Sequence, residues 1–171
     1  MATNLVPDMF SRRAEAMRAH LDSAGLTRGV QSDFPCEVLV GEWYDAPTTA
    51  KVFVHRVGGP VHYGMGNQSG EAYIHWQIVS DISVPGDQSL QETIAGTFAA
   101  NILAALASMA QRNGLVYGWK SLRILPGGGV LTYNESGGQL RTIEVFLLEM
   151  MFGVAMPATI TLPADVREPA G

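Results

Sequence analysis

The chain reads as an α+β domain, with a mainly antiparallel sheet packed against an N-terminal helix and a long central helix. Three observations predict this. Apolar residues recur at helical spacing in two places, Phe10–Ala24 and Ile94–Met109. After the first of these, and again after the second, the period shifts to two in runs rich in Val, Ile, Phe and Trp. Glycine- and proline-rich segments separate the runs as turns. At 171 residues the chain suits one domain with a single good core, 1–171, with 1–8 and 163–171 read as loose tails.

The first helix is capped by Asp8 or Ser11 and carries Phe10, Ala14, Met17, Leu21 and Ala24 on one stripe, with Gly25 closing it. Arg12, Arg13, Glu15 and Asp22 lie opposite, and His20 falls on the polar side. Residues 25–35 form a connector without clear periodicity. Cys36–Trp43 reads as a strand, 45–49 as its turn, and Lys51–Val57 as a second strand. Gly58–Gly70 is the long tip of a hairpin, a length that in compact domains marks a mobile or functional loop. Glu71–Ile82 is a third strand, long enough to extend past its neighbours and ended by Pro85 and Gly86.

The central helix spans Ser89–Asn113. Ser89 and Glu92 have the spacing of a capping box, and Gly114 sits at the stop. Its stripe is Ile94, Phe98, Ile102, Leu106 and Met109, while its back is Ala95, Ala99, Ala100, Ala104, Ala107 and Ala110 with Gly96. Only Glu92 and Arg112 carry charge over about six turns. A helix so poor in charge is expected to be covered on more than one face, and in a chain of this length another subunit is a natural second cover. Trp119–Leu125 is then a strand closed by 126–129, Val130–Tyr133 a short strand, and 134–138 a turn. Arg141–Val154 is the last long strand, apolar on both faces, which implies helices on one side and a neighbour on the other. Ala158–Leu162 reads as an edge strand.

Composition narrows the function classes. Hydrophobic residues are 47% and charged residues 16%, below the roughly 25% of an average soluble domain. That deficit again points to surface buried against partners. A net charge of −5 argues against sequence-independent DNA binding, which needs clustered Lys and Arg. Cys36 stands alone, so no disulfide framework is expected, and it reads as a small core residue. No signal peptide is read in the opening residues. No stretch reaches the eighteen or so uninterrupted apolar residues of a membrane span: Asn101 and Ser108 interrupt Phe98–Ala110, and Glu144 and Glu149 interrupt Ile143–Met156.

No catalytic or cofactor motif stands out. Gly64–Gly70 has the wrong spacing for a dinucleotide loop and precedes a strand, and no phosphate-binding P-loop occurs. His55, His62 and His75 lie in or between adjacent strands and could converge on one metal, but His62 sits in a loop. Glu37 and Glu42 fall on opposite faces of one strand, as do Glu144 and Glu149. Trp43, Tyr73, Trp76 and Trp119 read as core or interface aromatics rather than a nucleic-acid platform, since interleaved basic residues are missing.

Phe10–Leu21, Glu71–Ser83, Leu90–Arg112 and Arg141–Val154, in that order, resemble the tail terminator and tail-completion (neck) proteins of long-tailed bacteriophages. The resemblance covers most of the chain and rests on element order and pattern, with no short diagnostic motif. It implies a structural virion protein without an active site, assembled in the bacterial host cytoplasm. Such a protein forms a ring, typically a hexamer, at the head-proximal end of the tail tube. Its implied partners are itself, the tail tube protein and the head-completion or connector proteins. DNA is only passing cargo, and no cofactor, metal or membrane enters. The candidate interface residues are Gly58, His62, Tyr63 and Gly66 at the hairpin tip; Ala99, Ala100 and Ala104 on the helix back; Gly128 and Asn134 in the second glycine-rich segment; and Phe146 and Leu148 on the last strand. Two other classes stay open: a small enzyme or ligand-binding domain using the three histidines, and a non-viral adaptor dimerising through the alanine-rich helix.

Overall fold

The computed structural model describes residues 9–30, 35–45, 49–58, 61–62, 69–117 and 121–155. They form an α+β fold in the order α1 (Met9–Ser23), β1 (Cys36–Val40), β2 (Ala50–Gly58), β3 (Val61–His62), β4 (Ser69–Pro85), α2 (Gln88–Tyr117), β5 (Ser121–Glu135) and β6 (Gln139–Ala155). The sheet runs β1-β2-β4-β6-β5, with β3 beside β4. Every pairing is antiparallel except β1 with β2, which is parallel. Consecutive parallel strands cannot be joined by a tight hairpin, and after β1 the Gly41 N–H donates to the Val54 carbonyl at the end of that pairing, 3.0 Å away.

The spine is β4 against β6, in register from Ser69↔Ala155 to Pro85↔Gln139 without a break. Alternation then sorts the side chains. Even-numbered Ile74, Trp76, Ile78, Ile82 and Val84 of β4 meet Phe146, Leu148 and Met150 of β6 on the face that both helices cover. From α1, Ala14, Met17 and Leu21 reach that core, and from α2, Ile94, Phe98, Ile102, Leu106 and Met109. Leu26 and Val30, in the connector after α1, are also core residues.

Several sequence expectations need correction. The cap of α2 is Asp87 rather than Ser89: its Oδ1 accepts from the Leu90 N–H at 3.0 Å, and Glu92 accepts from Gln88 instead. The helix continues past Gly114 to Tyr117. His20 is buried rather than on a polar face, its Nε2 3.1 Å from the Ala105 carbonyl of α2. β1 ends at Val40, so Trp43 and Glu42 leave the strand. Residues 126–129 do not close a strand. They form a bulge within β5, which stays paired to β6 on both sides of the register shift between Leu125 and Gly129. The turn after β5 narrows to 136–138, where Gly137 and Gly138 take φ of 91° and 74°. The expected strand at 158–162 lies outside the described residues.

By length and composition alone, Gln88–Ala110 is apolar enough to cross a membrane, with mean hydropathy 1.5, despite Asn101 and Ser108. In this fold its stripe is buried against the sheet, which gives a core helix of a folded domain the same apolar signature.

Candidate functional site

The face of the sheet away from the helices is partly covered by the chain itself, where the sequence suggested a neighbour. Residues 43–45 lie across it as a strap. Trp43 Nε1 donates to Asp81 Oδ2 at 2.8 Å, and the Tyr44 ring meets Phe53 edge-on with centroids 5.4 Å apart. Asp45 accepts from Arg141 Nη1 at 2.7 Å. Arg141 is the anchor of this arrangement. It donates to both oxygens of Asp81, at 2.8 and 2.6 Å, and to Glu135 at 3.2 Å, with the Tyr133 ring 6.0 Å away. The Arg141 and Asp81 side chains are only 5% and 2% exposed. A guanidinium out of water is tolerable only with such geometry. The Asp81 hydrogen bonds push Arg141 further into its protonated range, against the cost of burial.

Towards the other end of that face, Glu149 accepts from His75 Nε2 at 2.9 Å and from Arg123 at 2.7 and 2.6 Å. The His75 hydrogen bond, and after it that of Arg123, holds the Glu149 carboxyl below its usual range. His55 and His75 share this face, and the three histidines are spread along β4 by their pairing. His55 pairs with Gln77 and His62 with Glu71, so their partners stand 77 − 71 = 6 positions apart on β4. At about 3.4 Å per residue that is roughly 20 Å. Among the described residues, no group of three or more metal-ligating side chains comes together.

The edges and the helix layer present uncovered apolar surface. β5 is an edge strand exposed along most of its length, with Ile124, Val130, Leu131 and Tyr133 open to solvent. Val130 and Leu131 are 62% and 58% exposed, and they point to opposite faces of the strand. On α2, Gly96, Ala100, Leu103, Ala104 and Ala107 form an exposed back with hardly any charge. Beside it, α1 and α2 enclose a half-open cleft of about 460 Å³, lined by His20, Ser23, Ala24, Gly25, Arg28, Asn101, Ala104, Ala105 and Ser108. Asn101 ties its wall, donating to the Leu26 and Arg28 carbonyls at 2.8 Å each.

The expected interface residues scatter over these surfaces. Gly58 ends β2 with φ 124°, and His62 lies in β3, whereas Tyr63 and Gly66 fall outside the described residues. Ala100 and Ala104 are exposed on α2, and Ala99 packs partly against the core. Asn134 is exposed, but within β5 rather than in a loop. Gly128 sits in the β5 bulge, where an added Cβ would collide with the Val145 carbonyl oxygen. Phe146 and Leu148 must be removed from the set: both face the helices and belong to the core. Asp81 and Arg28 went unremarked in the sequence, Arg141 was read only as the start of a strand, and Trp43 only as a core or interface aromatic. Their signal is spatial, since Arg141 and Asp81 are far apart along the chain.

Neither a protein-family model nor a curated protein sequence matches the chain.

Proposed function

We propose that this protein is a ring-forming structural subunit of the tail-terminator type, closing the head-proximal end of a phage tail tube. The observation that carries the reading is a pair of unlike uncovered surfaces, the apolar edge strand β5 and the nearly uncharged back of α2. A ring closed by head-to-tail contacts requires two different patches on each subunit, whereas a two-fold dimer uses one patch twice. A soluble monomer with a long, apolar, unpaired edge is prone to edge-to-edge association unless that edge is covered. The net charge of −5 suits a passage through which DNA slides without adhering.

The test combines native mass spectrometry of the full chain with a capping assay. A closed ring of about six subunits, which on addition to polymerising tail tube protein stops tube growth, is the expected outcome. A monomer at all concentrations that leaves tube length unchanged defeats the reading. A two-subunit species lost on Ala104→Glu would instead favour an adaptor dimerising through α2.

A further inference from the structure

Arg28 stands apart from the other basic residues whose side chains are described. Arg18 pairs with Glu15, Lys51 with Glu37, Arg123 with Glu149, and Arg141 with Asp81, Asp45 and Glu135. Arg13 and Arg56 also make contacts. The exposed Arg28 guanidinium, at the mouth of the α1–α2 cleft, has no carboxylate partner among the described residues. This is unexpected in a chain with 16 acidic and 11 basic residues. The small side chains of Ala104, Ala105 and Ser108 leave room beside it.

The opposite layer presents the complement. Glu42, next to the strap, is an exposed carboxylate without an ion-pair or hydrogen-bond partner among the described residues. Asp22 also lacks one, but it belongs to α1 beside the cleft, so it shares the patch of Arg28. Two residues from Glu42, Tyr44 is 54% exposed, and the strap beneath it is fastened by Arg141 and Trp43. The Tyr44 ring also lies 5.6 Å from Lys51 Nζ, and a half-exposed tyrosine near a carboxylate that has no partner among the described residues has the composition of an interface anchor.

We propose that the α1–α2 cleft receives the strap of a second copy, with Tyr44 entering the cleft and Glu42 pairing with Arg28. The contact joins the helix layer of one subunit to the open sheet face of the next, so it is heterologous and repeats around a ring. It rests on the assembly reading above and adds a charged contact to the β5 edge and the α2 back that carry that reading. Charge complementarity selects the partner: a cation and a carboxylate on different faces of the same chain, each without a partner among the described residues, meet across the contact.

The experiment uses the full chain carrying Arg28→Glu, Glu42→Arg, or both, followed by sedimentation velocity and native mass spectrometry. Both side chains are exposed, and thermal melts verify that each variant folds. Each single reversal places like charges together and is expected to weaken assembly about tenfold or more. The double variant, and an equal mixture of the two single variants, should assemble again, because every contact then joins opposite charges. Single variants that assemble like the parent overturn the proposal, and so does a failure of both the double variant and the mixture to recover. In those cases a parent ring that still caps tubes leaves the terminator reading standing. Conversely, charge-swap rescue of a stack or dimer that never caps a tube supports this contact and defeats that reading. A parent that stays monomeric defeats this contact, and it defeats the terminator reading as well when tube length is unchanged.

Discussion

At Arg141 a whole region of the sheet depends on one side chain. Truncation in Arg141→Ala leaves Asp81 buried with a charge and no cation, the situation that costs about 3–5 kcal/mol. Urea denaturation should show a loss of that size, with the strap released and Trp43 fluorescence shifted. Replacing both partners, as Arg141→Met with Asp81→Leu, should recover part of the loss, since an apolar pair can substitute for a buried ion pair. Recovery stays incomplete because Trp43 Nε1 donates to Asp81. Cys36 gives a second prediction. Burial first, and then the Asp22 and Glu37 charges, push its thiol from 9.0 up to about 12. The folded chain therefore holds the neutral thiol, and maleimide labelling at pH 8 should be slow until urea is added. The corresponding stability is intact below about pH 9, where both states are protonated, and is lost as pH rises toward 12. Cys36→Ala should flatten that alkaline limb of a pH–stability curve.

At the scale of elements, local signals located most of the secondary structure. The stripe Ala14, Met17, Leu21 gives α1, and the alternation of 141–154 gives most of β6, because periodicity reports which side faces the core. Local signals misread 126–129, since Pro and Gly punctuate turns, whereas pairing with β6 carries the chain through as a bulge. They could not show that β1 runs parallel to β2, nor that residues 43–45 double back onto Asp81, because neither contact is local. For the same reason the strap and the cleft were invisible as sites, although their residues were all in view. The bulge is testable. Gly128→Ala drives a methyl group against the Val145 carbonyl, so backbone must move, at about 1–3 kcal/mol. A fall of several degrees in Tm is expected, and an unchanged melt would show that the bulge relaxes freely.

For the whole molecule, the exposed edge matters more than the interior. Leu131→Lys places a charge on a 58% exposed position of the β5 edge. The expected result is an unchanged melting temperature with weakened assembly, because edge charges block strand addition without disturbing the core. Loss of stability instead would mean that the residue already packs within its own subunit. One feature of the topology governs how such a subunit comes into being. β4 pairs along its full length with β6, with α2 and β5 lying between them in the chain. During synthesis, β4 emerges with its core face bare and no partner on one side, and it stays so until residue 155 has left the ribosome. Contacts spanning such sequence separations slow folding. The nascent chain thus spends its vulnerable interval as an apolar hairpin with a sticky flank, a substrate for chaperones. In the proposed ring, subunits can join only as finished chains, which would make assembly a post-translational event whose onset is set by the closure of β6.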